Sequence, residues 1–232
     1  MQNIEDKIYA NDGNADVLAF LTEPGQVLDI GCGRGDNARI LKSLGYTIDG
    51  ITISENELQE ADGFLQSGYI YNIENGLPPE LKNNSYDYII CSHVLEHICY
   101  PGKVLHDIRA SLKPNGKLIV ALPNLFHYAS RWKLVKGEFN YQDSGVWDNT
   151  HFKWYSFKSG KELLEQQGFS VITEKVTGEL PGNSLFSKIL PKGLAGALFS
   201  LLTTISPGLF GYQLLYVAKP SGNVSLSLQQ AV

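Results

Sequence analysis

Val27, Leu28 and Ile30 supply the apolar run expected of a central parallel strand, and Gly31, Gly33 and Gly35 follow it at once. The glycines let the backbone turn tightly and approach a ligand, and a helix is expected from about Asp36 to Leu44. A second strand is expected over Thr47–Ser54, and a fourth ends near Cys91 and Ser92, with a helix carrying His93, Glu96 and His97 after it. Val104, Leu105, Ile108 and Leu112 then recur at helical spacing, before a turn at Pro114–Gly116 and a fifth strand over Lys117–Leu122. A helix over about Ser156–Gln167, a strand over Phe169–Val176 and a last strand over Gly211–Lys219 close the pattern. Strands alternating with helices in this way predict a doubly wound α/β sheet with ligands at the carboxyl ends of its strands.

Asp29 stands at the carboxyl end of the first strand, where the following helix also directs its N-terminal N–H groups. A dinucleotide would bring its pyrophosphate there and be repelled by the carboxylate, whereas an ammonium group would be held by it. The glycine spacing Gly31-Cys32-Gly33-Arg34-Gly35 also departs from the dinucleotide fingerprint. The string D-I-G-C-G-R-G resembles the first motif of class I S-adenosylmethionine-dependent methyltransferases. That resemblance implies a Rossmann-like, seven-stranded, mostly parallel sheet with an antiparallel last strand, and Asp29, Gly31, Cys32 and Gly33 around the cofactor.

Three further segments carry the same resemblance in order. Thr47–Ser54 ends on Thr52 where the family usually has an acidic residue for the ribose hydroxyls, and Glu57, one turn later, is the substitute carboxylate. Ser54 and Glu57 equally suit a helix-capping box. Gly68–Pro78 resembles the adenine-contacting segment, with Asn72 in place of the usual Asp, the Ile73 N–H beside it and Ile53 as an apolar plate. Ser85–Ile98 resembles the fourth motif and brings Ser92 and His93 to the cofactor's edge. Tyr9 and a helix over Gly13–Leu21 resemble the family's lid, in which Tyr9 is either a cofactor contact or a packing aromatic.

The acceptor is expected among residues Leu125–Gly182, because the shared core holds only cofactor. Asp148–Ser156 resembles a stretch of bacterial methyltransferases acting in methionine biosynthesis and on surface polysaccharides, which implies a small-molecule or sugar-like acceptor. An oxygen acceptor needs its proton removed as the bond forms, and His97 and His151 are the candidate bases, with His127 third and Asp148 as an orienting carboxylate or a turn cap. His93-Val-Leu-Glu96-His97 also matches a zinc-protease pattern, but no accompanying Cys-x-x-Cys or carboxylate cluster supports it, so no metal ligand is assigned, while the family resemblance leaves open a divalent cation on Glu96 and His97, as some relatives hold. The N-P-P-Y signature of base and amide methylation is missing, which disfavours those nitrogens, while another nitrogen or a carbon of a small metabolite stays the alternative to oxygen. An NAD-dependent oxidoreductase and a non-catalytic nucleotide-binding scaffold are the rival classes.

With 232 residues and 43% hydrophobic side chains, the chain can bury one good core. One domain over residues 1–220 is expected, with a cofactor core at 1–123, acceptor elements at about 124–210 and a loose Ser- and Gln-rich tail at 221–232. The net charge of −5 argues against nucleic acid as a partner. Glu5, Asp6 and Lys7 interrupt any signal-peptide run, and three cysteines suit a reducing cytoplasm. Residues 185–210 are strongly apolar, and the uncharged run Leu194–Ile205 is too short to span a bilayer. From Leu180 onward three lysines face no acidic residue, which suggests contact with a membrane or a lipid-linked acceptor, a helix over the active site or a homodimer contact, so monomer and homodimer both stay open.

Overall fold

The computed structural model describes residues 12–82, 85–178 and 192–222. Tyr9, residues 185–191 of the apolar segment and residues 223–232 of the tail lie outside the described residues. The strands are β1 (Gln26–Ile30), β2 (Thr47–Thr52), β3 (Ser67–Ile70), β4 (Tyr86–Ser92), β5 (Leu112–Pro123), β6 (Phe169–Thr177) and β7 (Gln213–Pro220). They form one sheet in the order β3-β2-β1-β4-β5-β7-β6. The β2–β3, β1–β2, β1–β4 and β4–β5 pairs are parallel, and β7 runs antiparallel to both β5 and β6, as expected of the last strand.

The helices are α1 (Ala15–Leu18), α2 (Asp36–Ser43), α3 (Glu55–Ala61), α4 (Gly102–Ser111), α5 (Tyr128–Val135), α6 (Phe157–Gln166), α7 (Lys192–Ile205) and α8 (Pro207–Phe210). Successive apolar residues of the inner strands point to opposite faces and serve two cores. On one face Val27 packs in a cluster with Val17, Ala38 and Leu41 from α1 and α2. On the other, Leu28 and Ile30 join Val104, Leu105 and Ile108 of α4 and Leu164 of α6. Burial on both faces explains why these strands read as apolar runs rather than as alternating ones. The start of α6 is held by Ser156, whose hydroxyl accepts from the Ser159 N–H while the Ser159 side chain reaches back to the Ser156 backbone.

Two local expectations change. The segment after β4 is a single 3₁₀ turn, Leu95–His97, and not a helix. His93 enters it at φ 58°, and the Glu96 carbonyl accepts from the N–H groups of Phe152 and Lys153 in a distant segment instead of from a following helical turn. The expected turn at Pro114–Gly116 lies within β5 as an irregularity: Tyr86 pairs with Leu112 and Tyr88 with Lys117, so the intervening residues bulge from the ladder. The apolar segment forms α7 and α8, with Leu194, Leu201 and Ile205 exposed. Among the described residues no helix is long and apolar enough to cross a membrane.

Candidate active site

Parallel pairing sets the ends of β2, β1 and β4 side by side, with Ile30 of β1 in register with Ile51 and Cys91. The chain then turns through Gly31, Gly33 and Gly35, all at positive φ, and is pinned to β2 by the Gly31 and Cys32 N–H groups donating to the Ile51 carbonyl at 2.8 and 2.9 Å. A Cβ on Gly31 would stand 2.5 Å from Cγ2 of Val94, so both conformation and space require glycine there. α2 begins at once behind Gly35, aligning its dipole with the turn.

Asp29 is 1% exposed, and neither carboxylate oxygen has a hydrogen-bond partner of ordinary geometry. Burial pushes its pKa up to about 7, which the neighbouring Asn37 amide only partly offsets. A buried carboxylate left in this state is a costly feature for a merely structural residue. It suits a group that awaits a cationic partner, and the glycine cradle beside it suits a nucleoside-bearing ligand.

Across the cradle, the Thr52 hydroxyl donates to Oε2 of Glu57 at 2.6 Å. The Ser54 hydroxyl accepts from the Glu57 N–H, one half of the expected capping box, but the Ser54 N–H turns to Thr52 Oγ1 instead of to Glu57. The Glu57 carboxylate is thereby directed to the end of β2, where the ribose reading wants it. Asn72 caps the turn Ile73–Asn75 with its carbonyl oxygen and is exposed, Ile73 and Ile53 are half-buried, and Cys32 is buried.

Ser92 and His93 close the β4 side. Asn14 donates to both Ser92 Oγ and Gln213 Oε1, at 3.0 and 2.8 Å, and Gln213 Oε1 also meets His93 Nε2 at 2.7 Å. Desolvation opposes a charge on His93, but the Glu96 carboxylate and Gln213 outweigh it and raise its pKa above the usual histidine value. Nothing in the spacing of the chain linked Gln213 to this site. A polar residue opening an otherwise apolar, buried strand was the one signal that pointed to it.

The acceptor side brings together Glu96, His97 and His151, with one ligating atom of each within 4.8 Å of the others. The two imidazoles meet edge to face at 4.6 Å. His97 Nδ1 lies 3.0 Å from Thr150 Oγ1, which donates to Asp148 Oδ1 at 2.6 Å. These bonds carry Asp148 to His97 through Thr150, while its charge also acts on His151 and its backbone carbonyl accepts from the His151 N–H at 3.2 Å; Asp148 accepts from the Thr150 N–H as a turn cap as well. His151 is buried, and that burial lowers its pKa although Glu96 opposes the change. The Tyr155 hydroxyl is buried without a partner, and desolvation followed by the charge of Glu96 pushes it up to about 12. Phe139, Tyr141, Trp147 and Trp154 form an aromatic wall beyond, with Phe139 and Trp147 4.9 Å apart. His127 stands apart from this group in the ring contacts, against Tyr128 and Tyr212 at 4.1 and 5.6 Å.

Strand order, the antiparallel seventh strand, the glycine turn and the carboxylate before it together define the class I S-adenosylmethionine-dependent methyltransferase fold. The chain belongs to a methyltransferase-domain family, whose model matches residues 7–174. It is 28% identical over 142 residues to a ubiquinone biosynthesis O-methyltransferase of Rickettsia canadensis, an alignment covering 60% of this chain and 59% of the relative. The chain thus spans about three-fifths of that curated relative's length. Among solved structures it resembles a SAM-dependent methyltransferase from Archaeoglobus fulgidus, with a TM-score of 0.64, 20% identity and coverage of 88% and 90% of the two chains. It also resembles a Burkholderia thailandensis 1,6-didemethyltoxoflavin-N1-methyltransferase holding S-adenosylhomocysteine, with a TM-score of 0.55, 16% identity and coverage of 89% and 76%.

Proposed function

We propose that this chain transfers the methyl group of S-adenosylmethionine to an oxygen of a small-molecule acceptor, sugar-like molecules included. The single observation that carries the reading is Asp29, a buried carboxylate with no hydrogen bond of ordinary geometry, set against a glycine turn at the carboxyl edge of the sheet. The O-methyltransferase relative supports oxygen as the accepting atom.

Bound S-adenosylmethionine supplies an electrophilic methyl on a sulfonium, whose C–S bonding pair returns to sulfur as the acceptor's lone pair forms the new O–C bond. Asp29 holds the ammonium group, and Gly31, Cys32 and Gly33 give the backbone its close approach. Thr52 orients Glu57 toward the ribose hydroxyls. Asn72 and the Ile73 N–H meet the purine edge, with Ile53 against its face. Ser92 and His93 border the methionine end. The cluster of Glu96, His97 and His151 faces the acceptor, positions its hydroxyl in line with the methyl carbon and receives the proton.

Calorimetric titration with S-adenosylmethionine, S-adenosylhomocysteine and NAD, with Asp29→Ala as control, tests the reading. Binding of both adenosyl ligands that disappears in the variant is the expected result. No adenosyl binding, or a preference for NAD, overturns it and restores the oxidoreductase and scaffold alternatives.

A further inference from the structure

Helix α7 carries no charge after Lys192, and none of its described side chains is buried. Ala195, Leu198, Phe199 and Leu202 are half-buried along one face, and Leu194, Leu201 and Ile205 are exposed along another, Ile205 to 71%. The hydroxyls of its last turns do not make it polar. Thr203 Oγ1 donates to the Phe199 carbonyl at 2.9 Å and Thr204 Oγ1 to the Ser200 carbonyl at 2.7 Å, so both donors are used within the helix, as an apolar surrounding requires. Its 14 residues rise about 21 Å, short of the roughly 30 Å of a bilayer core, so the helix can lie along a membrane but not cross one.

A second helix extends this surface. α8 packs against α7 and carries Phe210, whose ring meets Tyr128 at the start of α5 with centroids 6.5 Å apart. Trp132 and Val135 follow Tyr128 by four and seven residues, so they share its helix face, and both are exposed, Val135 to 78%. Arg131 and Lys133 of α5 and Lys136 just after it are exposed among them, α5 holds no acidic residue, and Glu138 is the first to follow. Lys136 Nζ stands 5.5 Å over the Trp132 ring, an aromatic and a lysine paired as they pair at membrane interfaces. From Leu180 to the last residue the sequence adds three lysines and no Asp or Glu.

We propose that α7 and the outer face of α5 dock on the surface of an anionic lipid bilayer, with Leu194, Leu201, Ile205 and Trp132 at the acyl boundary and the basic residues of α5 among the headgroups. Charge chooses this occupant over a second copy of the chain. An isologous contact between two copies would set the same basic, acid-free surface against itself, so that like charges meet, whereas anionic headgroups complement it. The docking surface is also tied to the site. Asn124 Nδ2 donates to the carbonyls of Gly208 and Gly211 at 2.9 and 2.6 Å, and Gln213, two residues further on, holds His93. A docked α7 therefore brings the carboxyl edge of the sheet within reach of molecules carried in the bilayer, while lipid binding itself does not depend on the methyl-transfer reading.

The test is flotation of the full chain with vesicles of phosphatidylcholine alone and of phosphatidylcholine with about 30% phosphatidylglycerol. The expected result is binding to the anionic vesicles and not to the neutral ones, weakened by added salt. Affinity should fall by about 30-fold in Leu201→Asp, and by about 5-fold for each charge removed in Lys133→Ala and Lys136→Ala. These side chains are exposed, and unchanged thermal unfolding of the three variants reports that they fold. Absence of binding to anionic vesicles by the folded wild-type chain overturns the proposal, as does binding indifferent to all three substitutions. A dimer in sedimentation equilibrium without lipid that Leu201→Asp dissolves gives this face to a second copy and overturns it as well.

Discussion

Asp29 and Glu96 are both carboxylates buried without a hydrogen bond of ordinary geometry, yet their surroundings are built in opposite ways. Asp29 sits in a cradle assembled from consecutive residues, Val27 through Asp36, where strand, glycine turn and helix follow one another along the chain. Glu96 sits among groups from separate segments: His93 and His97 beside it, His151 and Thr150 from beyond α5, and Gln213 from β7 behind His93. On the proposed reading, the local device serves the cofactor and the assembled one faces the acceptor. Gly31 and Val94 are where the two regions touch.

The largest effect is expected from Asp29→Asn, which separates binding from stability. Affinity for S-adenosylmethionine should fall by about 100-fold or more with the loss of a charge-assisted contact, while the ligand-free protein becomes more stable. The pKa of Asp29 is raised from 3.8 to about 7 in the folded chain, so its cost to stability is absent below about pH 4, grows as pH rises and is complete above about pH 7. Removing the charge should therefore stabilise the chain by roughly 2–4 kcal/mol at pH 8 and hardly at all at pH 4, a difference that thermal unfolding at the two values checks. The same carboxylate should make wild-type affinity for S-adenosylmethionine rise as pH increases toward about 7 and fall again as the ligand's own α-ammonium, of pKa about 7.7–8.0, loses its proton, measured by titration calorimetry.

Glu96→Gln should do the reverse of Asp29→Asn, leaving cofactor affinity within about threefold and lowering kcat by about 100-fold. Equal loss of both quantities in this variant would dissolve the distinction between the two regions. Gly31→Ala strikes their boundary, combining a backbone at φ 72° with a Cβ 2.5 Å from Val94, and should cost about 1–3 kcal/mol in denaturant unfolding. Val94→Ala in the same chain should recover the part of that loss due to the clash and not the part due to the backbone. The smallest effect is expected from Thr52→Val, which removes the hydroxyl that orients Glu57 and should weaken S-adenosylmethionine about 3- to 10-fold with little change in thermal stability.

The order of strands and helices, the glycine turn, the position of Asp29 and the capping serine of α3 were legible in the chain because each depends on neighbours a few residues apart. An apolar run buried on both faces, glycines at positive φ and an N-cap hydroxyl are local solutions to local constraints. Tertiary structure alone decided that the residues after β4 form a 3₁₀ turn, because the Glu96 carbonyl is taken by Phe152 and Lys153 instead of by a following helical turn. It likewise decided that Asp148 serves His97 through Thr150, that Gln213 holds His93, and that His151 meets Glu96. Those partnerships span long stretches of chain, where spacing carries no information and only the packing of the sheet against the acceptor segment brings the groups within reach.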